Sequence, residues 1–241
     1  MKENKIWNDY LPEDMQEHWT VYECLKESED SSTFLVKESA TGILCVLKWG
    51  RNRQTEFLRN EMEIMKKMAD RKLSGIPKAY RIFEENGEVY LVREYIEGMS
   101  LAQMVLQKGG ISEAEICRIS RKICQTAEQF QNPDEPMIHR DIKPENIVVT
   151  PGGEVVFIDF GTMRSYKKMG RVSTFVVGTR GTAAPEQYGY TQTDQRTDVY
   201  AIGQTMLYMV SESYEMNQLS ECAVSRRMKK IIEKACSFEP D

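Results

Sequence analysis

A chain of 241 residues can bury about 70 to 75% of the surface its unfolded form exposes, enough for one large domain or two small lobes without covalent staples. Its 32 Lys and Arg against 37 Asp and Glu give a net charge of -5, which argues against a nucleic-acid binder working through bulk positive charge. The six cysteines form no Cys-x-x-Cys pair and the histidines are His18 and His139 alone, so a zinc site is disfavoured and reduced packing cysteines are expected, Cys117 and Cys124 on a predicted helix included.

Met1 to Trp7 is too charged for a secretory signal, and no apolar run approaches the roughly 20 residues needed to span a bilayer, so a cytoplasmic protein is expected. Residues 1 to about 18 place Trp7, Tyr10, Leu11 and Met15 among acids, the pattern of a short amphipathic piece docked on the first lobe. Val21–Leu25, Thr33–Val36 and Ile43–Leu47 then read as an antiparallel meander, with Thr41-Gly42 as its last turn. From Gln54 to Met68 an apolar helical stripe runs through Phe57, Ile64, Met65 and Met68, and Glu61 falls on it while Glu63 does not. An inward carboxylate is costly unless paired, and Lys48 at the end of the third strand is its natural partner.

Arg81–Phe83 and Val89–Val92 read as a hairpin around Asn86-Gly87. Ser112 and Glu115 have the spacing of a capping box, and Ile116, Ile119, Ile123, Ala127 and Phe130 form one apolar face behind it. Ile147–Val149 and Val155–Ile158 frame Pro151-Gly152-Gly153 as a second hairpin. Between these lies His139-Arg-Asp-Ile-Lys-Pro-Glu-Asn146, followed by Asp159-Phe160-Gly161. In an extended loop Asp141 and Lys143, two apart, turn to one face, while Asn146 and Asp159 offer the hard oxygens that magnesium prefers. That inventory suits phosphoryl transfer. Asp198–Val210 is apolar nearly all round and is expected as a buried helix.

At His139–Asn146, Asp159–Gly161 and Ala184-Pro185-Glu186 the chain resembles the eukaryotic-like (Hanks-type) serine/threonine protein kinases, in the form found in bacterial members, from about residue 20 onward. The resemblance implies a two-lobed α+β kinase fold: an extension over 1–19, an N-lobe over 20–93, a hinge over 94–98 and a C-lobe over 99–241. It implies ATP and Mg2+ as cofactors, with Mn2+ as an alternative metal, and a protein substrate carrying a Ser or Thr acceptor. Asp141 would take the hydroxyl proton, Lys143 would neutralise the transferred phosphate, Asn146 and Asp159 would hold the metal, and Lys48, paired with Glu61, would grip the α- and β-phosphates. Main-chain groups of Glu94 and Ile96 would meet adenine, with Thr33, Val46 and Val148 against the ring. His139 would pack on Phe160, and Asp198 would anchor the loop.

Three departures from the family pattern stand out. The glycine positions of the phosphate loop fall on Lys26, Ser28 and Ser31, near the acids Glu27, Glu29 and Asp30, which predicts weak or unusually arranged nucleotide binding. Arg93 fills the position before the hinge and is expected either to compete with Lys48 for Glu61 or to reach solvent. The arginine that relatives pair with the counterpart of Glu186 does not occur before Asp241, so either the natural protein continues or the partner is absent, and an unpaired Glu186 would loosen the segment. Arg140 implies a docking point for a phosphate on the activation segment, at Ser173 or Thr174, and Thr179 is expected to bond Asp141 and Lys143. Two alternatives remain beside the kinase: a pseudokinase that binds without turnover, and a small-molecule phosphotransferase.

Overall fold

In a computed structural model, the residues described are 11–131, 134–166, 181–188 and 193–237. Their elements in chain order are α1 (Glu13–Gln16), β1 (Trp19–Glu27), β2 (Ser31–Glu38), β3 (Leu44–Gly50), α2 (Gln54–Asp70), β4 (Ala79–Glu85), β5 (Glu88–Glu94), β6 (Met99–Ser100), α3 (Leu101–Lys108), α4 (Glu113–Glu128), β7 (Met137–Ile138), β8 (Ile147–Val149), β9 (Val155–Phe157), β10 (Arg164–Ser165), α5 (Gln195–Ser211) and α6 (Arg226–Ala235). Two compact units divide the chain, Met1–Lys72 with Pro77–Ile96, and Leu73–Ile76 with Glu97–Asp241.

The first unit is an antiparallel sheet in the order β1-β2-β3-β5-β4. Alternation along its strands separates two faces. Phe34, Leu47 and Val92 are register partners, and with Val36, Cys45 and Tyr90 they pack beneath Leu11, Met15 and Trp19. The expected N-terminal docking is therefore found for Leu11 and Met15, while Trp7 and Tyr10 lie outside the described residues. The other face carries the adjacent ladder Thr33, Lys48 and Leu91, and there Val89 and Leu91 pack against Leu58 and Met62 of α2. The buried stripe of α2 is centred on Leu58, with Phe57 only half-buried; Glu63 is exposed and pairs with Lys67 at 3.2 Å. Between β4 and β5, Asn86 at φ 50° and Gly87 at φ 81° make the tight turn their dipeptide predicts.

Among the described residues the second unit holds the sheet β6-β8-β9, the pair β7-β10 and the four α-helices α3 to α6. Helix α3 lay outside the sequence reading, although Ser100 and Gln103 make both bonds of a capping box there. Ser112 caps α4 as its spacing suggests, but the Glu115 carboxylate pairs with Lys108 at 2.9 Å. Phe130 is buried just past the end of α4, beside Ile116, Ile119 and Ile123. Cys117 and Cys124 are free and exposed, so neither is the packing residue expected. Helix α5 is buried along most of its length, Val199 excepted, and a Cβ on Gly203 would lie 2.7 Å from Ala235 Cβ, so glycine is what lets α6 pack this closely.

Candidate active site

In the first unit the carboxylate on the apolar stripe of α2 finds the lysine of β3. Glu61 is 1% exposed, and its Oε1 and Oε2 accept from Lys48 Nζ at 2.8 and 2.7 Å. Thr33 and Leu91 flank Lys48 in register, and Val46 sits two residues earlier on the same face. Arg93 partners Val46 across the strands and is buried; its Nη1 donates to the main-chain oxygen of Glu94 at 3.0 Å. The Glu94 amide donates to Lys78 O at 2.8 Å, and Ile96 is half-buried.

Without glycine, the β1–β2 turn is braced by its own polar groups. Ser28 donates to Ser31 O through its amide at 2.8 Å and through its hydroxyl at 2.9 Å, and the two hydroxyl oxygens lie 2.8 Å apart. From the end of β3, Arg51 Nη2 donates to Glu29 O at 2.8 Å, the Arg51 amide donates to Asp30 O at 3.0 Å, and Asn52 Nδ2 donates to Asp30 Oδ1 at 2.8 Å. Lys26 and Ser28 are exposed, and Ser31 is half-buried. Arg51 and Asn52 carried no sequence signal for this, since their partners lie 22 residues away.

In the second unit Asp141, Lys143 and Asn146 form one cluster. Lys143 Nζ lies 2.9 Å from Asp141 Oδ2. Asn146 Nδ2 donates to the same Oδ2 at 2.9 Å and to Asp141 O at 3.0 Å, which leaves Asn146 Oδ1 as the acceptor its side chain offers. Asn146 O accepts from the Ile158 amide at 2.9 Å, which brings Asp159, the next residue, alongside. Asp159 Oδ1 accepts from the Gly161 amide at 3.2 Å, and Val148 is buried on β8. Among the described residues no three His, Cys, Asp or Glu side chains gather into a metal cage. Two oxygen donors fit instead the way magnesium is held beside a phosphate, through one or two protein ligands with the rest from substrate and water.

The backbone that presents Asp141 is fixed from below. Asp198 of α5 accepts from the His139 and Arg140 amides, both at 2.9 Å, and burial raises its pKa to about 6. Arg140 takes φ 72°, an unusual region for a side-chain-bearing residue, and burial, with Arg164 nearby, lowers its pKa to about 10. His139 is fully buried among Phe130, Phe157 and Phe160, with ring centroids 5.3 to 6.2 Å apart, and burial lowers its pKa to about 4. It is neutral at pH 7 and packs as an aromatic ring.

Glu186, expected to lack its partner, accepts from the Thr197 hydroxyl at 2.5 Å, so it is not left bare. Gln187, to which the sequence assigned no role in the site, is buried and touches the catalytic-loop backbone: its Nε2 donates to Arg140 O at 2.7 Å. Ser173, Thr174 and Thr179 lie outside the described residues.

The family model for the protein kinase domain matches residues 20–239, and the chain belongs to that family. Serine/threonine-protein kinase D of Synechocystis sp. is 31% identical over 78% of this chain and 40% of its own length. Serine/threonine-protein kinase PknA of Nostoc sp. is 32% identical over 56% of this chain and 25% of its own, and serine/threonine-protein kinase cds1 of Schizosaccharomyces pombe is 28% identical over 70% and 37%. The chain thus spans less than half the length of these curated relatives. Among the described residues no helix is long and apolar enough to cross a membrane.

Proposed function

We propose that this chain transfers the γ-phosphoryl group of ATP to serine and threonine hydroxyls of proteins, its own activation segment included. The observation that carries the reading is the Asp141 cluster: a carboxylate held by Asn146, a cation 2.9 Å from it, and a main chain anchored on buried Asp198. Asp141, whose Oδ2 is bonded by Asn146 and Lys143, orients the acceptor hydroxyl and accepts its proton. Lys143, already at that oxygen, places positive charge where the transferred group gains negative charge. Lys48, fixed by Glu61, is assigned to the α- and β-phosphates, with Thr33, Val46 and Val148 as apolar contacts for adenine and the main chain of Glu94 and Ile96 as its polar contacts. Asn146 Oδ1 and Asp159 would hold Mg2+, or Mn2+ in its place, which supplies charge neutralisation at the phosphates when bound. Proton transfer to a positioned base contributes about 10² to 10⁴ in rate.

The chain's family membership and its serine/threonine kinase relatives support the substrate class, as does Lys143 in the loop. One observation favours a second reading, a partner-binding module without turnover: the Glu94 carbonyl assigned to adenine already accepts from Arg93. Peptide mass spectrometry after incubation with Mg2+ and ATP separates the two. Phosphate on Ser173 or Thr174 in the wild type and none in Asp141→Asn is expected. No mass gain, with a generic Ser/Thr protein also unmodified, would replace the kinase by the binding module.

A further inference from the structure

The geometry points to Gln187 as a positioning residue that sets the aim of Asp141 and ties it to the end of the activation segment. Arg140 sits at φ 72°, a conformation an L-residue keeps only when its surroundings hold it there. Its amide is held by Asp198 Oδ1 at 2.9 Å, and its carbonyl, part of the peptide that leads into Asp141, is held by Gln187 Nε2 at 2.7 Å. Asp198 and Gln187 are 2% and 3% exposed, so water does not stand in for either bond. The other end of the Gln187 amide accepts from the Ala184 amide at 2.9 Å, and the Gln187 amide donates back to Ala184 O at 2.9 Å.

This arrangement uses the bifunctionality of a primary amide. One planar group donates to the catalytic loop and accepts from the segment, and neither a carboxylate nor an aliphatic side chain of that length does both. With Asp198 fixing one side of Arg140 and Gln187 the other, rotation of the Arg140–Asp141 peptide requires a buried bond to break. A shift of Ala184 therefore pulls on the peptide that carries the base. Asp141 would then lose its alignment while the Lys48–Glu61 pair, which belongs to the other unit, stays as it is.

The kinetic part of this inference rests on the phosphoryl-transfer reading, while the backbone part stands without it. The variant is Gln187→Met, of similar length and without either hydrogen bond, compared with Ile116→Val, a buried methylene deletion in α4 remote from the loop. Two readouts are taken on each: steady-state kinetics with ATP and a Ser/Thr protein, and hydrogen exchange resolved by peptide. For Gln187→Met, kcat is expected to fall about 100-fold, the cost of roughly 1 Å of misplacement, with KM for ATP unchanged. Exchange is expected to rise in a peptide covering 137–142 and to stay level in α4. Ile116→Val should change neither. Unchanged exchange at 137–142 overturns the inference, as does exchange raised across the whole second unit, which marks a purely structural role. Faster exchange there with unchanged kcat also overturns the aiming of Asp141. Should the wild type show no turnover at all, the kinase reading fails on its own, and the exchange arm decides whether Gln187 holds the loop.

Discussion

His139→Phe tests whether the histidine of the catalytic loop is a packing ring. In the wild type the imidazole is fully buried, its two nitrogens find no hydrogen-bond partner among the described residues, and its pKa is lowered to about 4, mainly by burial and against the pull of Asp141 and Asp159. The folded state therefore binds this proton less tightly than the unfolded chain, whose histidine titrates near 6.5. A lowered folded pKa means stability is lost as pH falls through 6.5 and continues to fall until about 4. Integrated from pH 7 to about pH 4.5, the loss is about 2.5 kcal/mol. Asp198 acts in the opposite sense, because its raised pKa favours the folded state as pH falls through about 6; it is present in both proteins and cancels in the comparison. At pH 7 the substitution should be near neutral, since about 1 kcal/mol from removing unsatisfied polar atoms offsets a similar strain from the larger ring. At about pH 4.5 the variant should exceed the wild type by about 2.5 kcal/mol. Urea denaturation followed by far-ultraviolet circular dichroism measures this, because the second unit holds most of the helix. Parallel stability profiles for the two proteins over this range would show that His139 ionises normally, and the buried-ring account would fail.

Lys48→Met should destabilise the first unit by about 3 to 5 kcal/mol by removing one partner of the buried pair with Glu61, and Lys48→Met with Glu61→Met should recover most of it; tryptophan fluorescence reads this, since Trp19 and Trp49 belong to that unit. Equal losses in the single and double variants would refute the pairing. Trp19→Ala should cost about 3 to 5 kcal/mol, because Trp19 is 2% exposed and meets Phe83 edge to face at 5.4 Å, and a change under about 1 kcal/mol in urea denaturation would show that the covered sheet face is not a core. Arg51→Ala removes the clasp on Glu29; if the braced turn serves the phosphates, KM for ATP should rise roughly fivefold, the equivalent of about 1 kcal/mol, and an unchanged KM would separate the turn from nucleotide binding.

Periodicity and turn chemistry made most of the fold legible. Alternating residues in β2, β3 and β5, the Asn86-Gly87 turn and the Pro151-Gly152-Gly153 turn are local signals, and local signals survive in a single sequence. Helix α3 was missed because its eight residues give little more than two turns of pattern, too few to stand out between a strand and the stronger α4. The misjudged cysteines have a related cause. Cys117 and Cys124 share a helix face, but burial in α4 follows the neighbouring stripe of Ile116, Ile119 and Ile123, which lies one residue away from each of the two cysteines.

The site was legible wherever a residue's chemistry demanded a partner of one kind. A carboxylate on an apolar stripe had to meet a cation, and Glu61 meets Lys48. The same reasoning failed where satisfaction comes from hydrogen bonds to groups farther along the chain. Glu186 was expected to be bare for want of a cation, yet a threonine hydroxyl 11 residues on serves it. The turn at Ser28–Ser31 looked defective because glycine was absent, yet Ser28, Arg51 and Asn52 supply the bonds that hold its shape. Both cases replace what the sequence lacked, a charge in one and backbone freedom in the other, with hydrogen bonds that lock a single conformation. Gln187 belongs with them: its amide holds the Arg140 carbonyl 47 residues back, and no periodicity or charge pattern marks a glutamine for that task. Hydrogen bonds from Ser28, Arg51, Asn52 and Gln187 therefore hold the turn and the loop, and variants that remove them one at a time will report whether rigidity there is what the chemistry needs.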